Sequence, residues 1–514
     1  MKDTFYITTP IYYPNDVPHI GHAYTTVACD AIARYQRLVR GRDRVFFLTG
    51  TDEHGQNIQR VAQKQGLQPQ TFVDQMAPKW QEVWQRLDVD LDDYIRTTEP
   101  RHEQAVVKLL ETVRERSPED IYLGTYEAPY CVACEEFKTP EQINAAGNCA
   151  IHDRPLEIVA EDNYFFRLSA YQDRLLQRYL DHPEAVEPEV RRNEVLSFIK
   201  GGLQDFSISR TSFDWGVPVP WDPKHVTYVW FDALSNYITA IGYGTDRAQF
   251  ERWWPADVHM MAKDILRFHA IYWPAMLMAA GEEPPRKVFA HGYLLVGGEK
   301  MSKTKLTGIH PFRLIDHFGV DAYRYYFLSE VQFGQDGSFS WESMLARYNA
   351  NLANGLGNLA SRVLAMLESY FDGEVPEPGP QAHWAELRGT VDRHTSGYYE
   401  HMENLALTQA VAAATEIVVR ANGYLVEKAP WATSRDPARR EELAAVLYAA
   451  TEVLRILAIL LWPVMPGAME RLWEQLGIEG HLSAQRLPDA AGWGRLEPGT
   501  GIRRGEPLFP RLDE

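Results

Sequence analysis

Three groups of residues in this 514-residue chain combine side-chain types and spacings that could do chemistry. The first is Cys131-x2-Cys134, followed after fourteen residues by Cys149-x2-His152. Two such knuckles facing each other supply four soft ligands for tetrahedral zinc. Each needs a tight turn, and Ala133 and Ile151 sit inside those turns. No fifth ligand remains for water or substrate, so the spacing predicts a structural metal; buried free thiols are the alternative. The second group is PHIGHAYTT, residues 18–26, with His19, Gly21 and His22 at the mouth of a helix-like run. These residues either cap the helix or line a phosphate site, because a helix N-terminus favours an anion. The third is EKMSKTKLTG, residues 299–308, with Lys300, Lys303 and Lys305 after Gly297-Gly298. It is either a solvated loop or a set of point charges for a polyphosphate.

These groups need elements to position them. TFYITT reads as a buried strand, HAYTTVACDAIARYQRL as a helix and RVFFLTG as a second strand. Strand, helix, strand implies a parallel sheet with a right-handed crossover. Ligands of such sheets sit beyond the carboxyl ends of the strands. Thr9 to Ile11, His19 to His22 and Asp52 to His54 are therefore expected to share one crevice. Around residue 116 the chain becomes turn-rich and cysteine-bearing, up to about residue 225. The alternating pattern then resumes with HVTYVWFDALSNYITA, DVHMMAKDILRFHAIYWPAML and KVFAHGYLLV. From about residue 345 three long amphipathic segments predict an antiparallel helical bundle. The tail after residue 480 is polar and Gly/Pro-rich and is expected to wrap the surface.

The length implies two to four domains. A formal net charge of -18 argues against a sequence-independent nucleic-acid coat. The apolar stretch at 456–469 continues the stripe Leu443, Leu447, Ala450, Leu454, Leu457 and Leu461, so it reads as a core helix rather than a membrane span. Four cysteines, three of them bunched, and a start without a basic leader and apolar core point to a reducing, cytoplasmic setting. Cys29, outside the cluster, reads as a buried apolar residue.

PHIGH and KMSK, about 280 residues apart, resemble the paired marks of class I aminoacyl-tRNA synthetases. More closely, TTPIYYPNDVPHIGHAYTT, FFLTGTDEHGQ, TYVWFDALSNY, FAHGYLL, KMSKT and NLANGLGNLASR resemble, in order, the methionyl-tRNA synthetase family. The likeness covers residues 4–470. It implies an α/β fold: a Rossmann-like parallel-sheet catalytic domain with a zinc-binding insert, followed by an α-helical bundle. The implied domains are 1–115 and 226–290 for the two catalytic halves and 116–225 for the insert. They continue with 291–345 for the lysine loop and stem-contact region, 346–470 for anticodon binding and 471–514 for the tail.

The resemblance implies ATP-dependent formation of methionyl-adenylate and transfer of methionine to tRNA(Met), initiator and elongator. His19, Gly21, His22, Lys300 and Lys303 would meet the ATP phosphates, with Asp264 in the nucleotide region. Ile11, Tyr13, Asp52, Trp230, Ala233, Tyr237 and His291 would hold L-methionine, Asp52 taking its ammonium. Asn358, Arg362 and Trp431 would read the anticodon; for Trp431 a buried bundle position is the alternative. Cys131, Cys134, Cys149 and His152 would hold one structural Zn2+, and Mg2+ would arrive with ATP. Thr304, Ala262 and Gly423 depart from commoner family residues, as does the KLTG that follows KMSKT. The extra C-terminal tRNA-binding domain of dimeric relatives is not visible, so a monomer is expected.

Overall fold

The structure, a computed structural model, describes residues 3–134, 136–138, 142–296 and 309–513. FYIT forms β1 (Phe5–Thr8), and VFFLTGT forms β2 (Val45–Thr51). Their aromatic and β-branched side chains are almost all buried, as a sheet covered on both faces requires. Between them runs α1 (Ile20–Arg40), its apolar residues packed into the core. α2 (Gln56–Lys64), α3 (Pro69–Arg86), β3 (Asp93–Arg96) and α4 (Pro100–Arg116) complete the first half.

The insert opens with β4 (Ile121–Cys131), paired antiparallel to β6 (Glu157–Phe166) from Ile121↔Phe166 to Tyr130↔Glu157. β5 (Glu136–Phe137) and β8 (Phe206–Ser207) flank this hairpin. β9 (Ser209–Arg210), β10 (Pro218–Val219) and β11 (Asp222–Thr227) make a small second sheet. Between β6 and β8 the chain forms α5 (Gln172–Asp181), β7 (Val186–Glu187) and α6 (Glu189–Lys200). β7 pairs parallel with β13 (Val288–His291) and so belongs to the catalytic sheet, although it lies inside residues 116–225. Two residues carry no period, so this excursion leaves no mark in the sequence.

After α7 (Val229–Leu234), β12 (Val258–Ala262) and β13 complete a six-stranded parallel sheet of order β3-β2-β1-β12-β13-β7. The order reverses between β1 and β12, and the ligand crevice of such a sheet lies beyond the carboxyl ends of the strands there. β14 (Leu294–Val296) and β15 (Gly337–Phe339) pair beside it.

The bundle contains helices Asn358–Phe371, Ala385–Glu403, Leu407–Lys428, Arg440–Leu461 and Pro466–Gln475. An 18-residue window in Pro437–Leu461 has mean hydropathy 2.0 and is wholly buried, as expected of a core helix. One apolar core runs from β1 and α1 into this bundle, while a second covers the other face of the sheet. The tail wraps the bundle and also buries Leu482, Leu487, Leu508 and Phe509. Leu487 donates its N–H to Leu38 O at 3.0 Å, which ties the tail to the end of α1.

Candidate active site

His19 is the N-cap of α1 and His22 its third residue. Gly21 N–H donates to His19 Nδ1 at 3.1 Å, and His19 N–H donates to His22 Nδ1 at 3.3 Å. The pair thus forms a capping box built from imidazoles. Of the two alternatives read from the sequence, the cap is formed, and it engages only the Nδ1 atom of each ring. A backbone N–H is an obligatory donor, so each Nδ1 is an acceptor and each ring carries its proton on Nε2. The rings stack at 3.6 Å between centroids. A Cβ on Gly21 would lie 3.0 Å from His19 Cε1, so in this structure glycine makes room for that ring.

β1 runs on into the crevice. Tyr12 N–H donates to Gly50 O at 3.0 Å, and Asp52 N–H donates to Tyr12 O at 2.9 Å. These bonds bring Ile11, Tyr13 and buried Asp52 to one end of the sheet. Half-buried Trp230 lies flat on Phe268, 3.7 Å between ring centroids and 2° between planes. Ala233 and Tyr237 are buried behind it. Tyr237 hydroxyl meets His269 Nε2 at 2.7 Å, and its ring covers His259 at 4.1 Å. Burial pushes the pKa of both histidines down, His269 to about 4, so both are neutral spacers. His291 is also buried and shifted down by desolvation. Its Nδ1 lies 2.7 Å from Gly292 O and its Nε2 2.7 Å from Thr25 Oγ1. That geometry assigns the proton to Nδ1 and sets the ring against α1.

Asp264 is exposed in the turn after β12. With Arg191, Glu194, Lys263, Tyr293 and Asp336 it lines a cleft of about 430 Å³. Lys300 and Lys303 lie outside the described residues.

Sequence reasoning missed one cluster beside this pocket. Asp232 Oδ2 lies 2.7 Å from His54 Nδ1, and Asp232 Oδ1 lies 2.7 Å from His102 Nε2. All three side chains are buried. Burial alone would raise the Asp232 pKa, but His54 and His102 outweigh it and hold the carboxyl at about 2. Burial opposes charge on His54 too, and Asp232 reverses that, raising its pKa. His54 and Asp232 both stand inside recognised motifs. Their separation of 178 residues hides the pairing from any local pattern.

The four metal-ligand candidates do come together at the tip of the β4–β6 hairpin. Their ligand atoms lie within 4.8 Å of one another. Cys134 Sγ is 3.6 Å from Cys149 Sγ and 3.1 Å from His152 Nδ1. Cys131 Sγ and Cys149 Sγ lie 4.0 and 3.9 Å from the same nitrogen. Tetrahedral zinc with its usual bond lengths spaces such ligands by about 3.5–3.8 Å. The residues therefore fit a zinc ion, with His152 turning Nδ1 toward the sulfurs. The hydrogen bond between Cys134 and Cys131 lowers the pKa of the Cys131 thiol and raises that of Cys134, so the pair favours one thiolate, the form that a metal binds. Trp230 Nε1 reaches Cys134 O at 3.4 Å, so the knuckle abuts α7. Cys29 is buried, away from this cluster.

On the bundle, Asn358 is exposed and Arg362 half-buried, one turn apart on one helix. The Arg362 guanidinium lies 5.4 Å from the Trp431 ring centre. Trp431 is 40% exposed, so a buried packing role does not account for it.

The switch-point sheet, the helix-capping histidine pair and the attached bundle define a class I tRNA synthetase. The family model for class I tRNA synthetases (M) matches residues 5–153 and 145–364, and that for the anticodon-binding domain of methionyl tRNA ligase matches 375–514. The chain belongs to the methionyl-tRNA synthetase family. It is 50% identical to a methionine–tRNA ligase of Streptomyces coelicolor, over 99% of this chain and 97% of that protein. Identity to the methionine–tRNA ligase of Caldanaerobacter subterraneus is also 50%, over 100% and 80%. Mycobacterium tuberculosis methionyl-tRNA synthetase in complex with methionyl-adenylate superimposes with TM-score 0.94 at 44% identity, covering 99% of this chain and all of that one. The free form of that enzyme gives 0.88 at 41% identity, covering 100% and 99%.

Proposed function

We propose that this chain is a methionine–tRNA ligase whose crevice between β1 and β12 binds L-methionine and ATP together. The methionine carboxylate attacks the α-phosphorus of ATP. The bond from that phosphorus to the bridging oxygen breaks, and pyrophosphate leaves. A ribose hydroxyl at the 3′ end of tRNA(Met) then attacks the carbonyl carbon, and AMP leaves. The substrates bring the reacting groups, so the protein positions them and stabilises charge. The observation that carries this reading is the histidine pair. With both Nδ1 atoms turned to the backbone, His19 and His22 offer Nε2–H donors to phosphate at a helix N-terminus.

Gly21 and Asp264 complete the nucleotide side, and the family resemblance assigns Lys300 and Lys303 to the outgoing pyrophosphate. Ile11, Tyr13, Trp230, Ala233, Tyr237 and His291 surround the thioether, with Asp52 on the ammonium. Aromatic surroundings suit sulfur. Asn358, Arg362 and Trp431 read the anticodon of tRNA(Met), initiator and elongator; stacking and base-edge hydrogen bonds are how unpaired bases are recognised. Cys131, Cys134, Cys149 and His152 hold one Zn2+, which staples the hairpin and takes no part in the reaction. Mg2+ accompanies ATP through phosphate oxygens. The enzyme works as a monomer in the cytoplasm.

Methionine-dependent ATP–pyrophosphate exchange tests the reading. His22→Ala removes one charge-stabilising donor and should slow exchange by a factor on the order of 10². Exchange at the unsubstituted rate would overturn the phosphate role. Exchange driven by leucine or valine instead of methionine would overturn the substrate.

A further inference from the structure

We propose that His54, Asp232 and His102 form a buried clamp of positioning residues that sets the width of the methionine pocket. The inference rests on the pocket assignment above and extends it to residues that touch no substrate.

The clamp joins three elements remote in sequence. His54 lies two residues after Asp52, in the turn that ends β2. Asp232 lies on α7, between Trp230 and Ala233. His102 lies on α4, behind both. One carboxylate spans the gap: Oδ2 to His54 Nδ1 at 2.7 Å and Oδ1 to His102 Nε2 at 2.7 Å. Relative exposures are 3% for His54 and zero for both Asp232 and His102. Among the described residues, His102 Nδ1 is buried without a hydrogen-bond partner. Its proton therefore sits on Nε2 and points at Asp232.

α7 has six residues, too few to hold its own position by helical hydrogen bonds. The turn after β2 is tied on its other side, since Gly55 N–H donates to Trp215 O at 3.1 Å and Trp215 Nε1 donates to Glu53 O at 2.7 Å. Among the described residues, the His54–Asp232 bond is a direct polar link between α7 and that turn. It sets the distance between Asp52, at the ammonium end, and Trp230 and Ala233, at the thioether side. A buried ionic cluster adds less stability than well-packed apolar groups would, but its directional bonds can specify one geometry. A methionine pocket needs that geometry, because a near isostere differs from the substrate by very little surface.

The test is pyrophosphate exchange on the full chain, with KM measured separately for methionine and ATP and the thermal midpoint recorded. Asp232→Asn cannot accept from both rings, and should raise the methionine KM at least tenfold while the ATP KM stays within twofold. His102→Ala should behave alike, whereas His102→Gln, which keeps a donor, should restore most of the affinity. If Asp232→Asn does not fold, the His102 pair decides alone, since each of its variants alters a single bond of the clamp. Methionine KM unchanged in Asp232→Asn or in His102→Ala overturns the clamp. So does an equal rise in both KM values, or failure of His102→Gln to rescue. Trp230→Ala separates the two readings. If it raises the methionine KM while the clamp variants are silent, only the clamp falls. If Trp230→Ala leaves it unchanged, the pocket assignment falls first and takes the clamp's purpose with it.

Discussion

Asp232 accepts from two histidines at a buried position, and this makes stability depend on pH in two directions. The raised His54 pKa contributes stability that is complete below the ordinary histidine value of about 6.5. That contribution fades as pH rises through the raised folded value. The depressed Asp232 pKa contributes stability that is complete above the ordinary carboxyl value of about 4. It is lost as pH falls toward the folded value of about 2. The excess stability of the native chain over Asp232→Asn should therefore peak between about pH 4 and 6.5. Urea midpoints across pH 3 to 9 check this, and a pH-independent difference would contradict it. Gly21 is a second residue-scale case. Gly21→Ala puts a methyl against the His19 ring, 3.0 Å away. The expected result is slower adenylate formation with little change in thermal midpoint, measured by single turnover.

Among the elements, α1 and the β4–β6 hairpin behave differently. α1 is held along its length by the core, so its N-terminus is a fixed platform for the histidine pair. The knuckle at the hairpin tip brings four candidate ligand atoms within 4.8 Å of one another, and a bound zinc would staple it. Structural zinc contributes on the order of 10–16 kcal/mol of apparent binding energy in small domains. Cys149→Ala should abolish stoichiometric zinc and open residues 121–166 to proteolysis, while the bundle stays protected. Metal analysis with limited proteolysis reads both. Because Trp230 Nε1 reaches Cys134 O, the same variant should change tryptophan emission. The knuckle was legible because its ligands fall within 22 residues. The His54–Asp232–His102 cluster was not, because each member sits on a different element.

At the scale of the molecule, Arg324 holds the catalytic sheet and the bundle together. Its guanidinium is fully buried and uses all five N–H groups. Nε donates to Val464 O at 2.8 Å, and the remaining donors reach Leu87 O, Asp88 O, Pro463 O and Asp30 Oδ2. Asp30 lies on α1, halfway along the helix that carries the histidine pair. Arg324→Met would strand the acceptors and leave Asp30 to Arg34 and the Asp90 N–H. A loss of about 3–5 kcal/mol is expected, as for other broken buried pairs, readable in urea unfolding. Across the bundle surface, stacking on an exposed aromatic is worth about 1–3 kcal/mol per base. Trp431→Ala should slow tRNA charging about tenfold or more while sparing pyrophosphate exchange. Equal loss in both assays would mean a structural role.

The sequence by itself determined the family, the parallel sheet, the knuckle ligands and the histidine pair. Each is written in short ordered motifs or in a local period, where neighbours in the chain are neighbours in space. Only the tertiary structure decided how the histidines work. Stacking and backbone hydrogen bonds turn both Nδ1 atoms to the backbone, so one pair of rings caps α1 and carries its protons on Nε2. The fold also decided that β7 joins the catalytic sheet, that the tail buries apolar side chains, and that Asp232 and Arg324 bridge distant elements. Those features depend on contacts between segments tens to hundreds of residues apart, and a chain reveals such contacts only once it is folded.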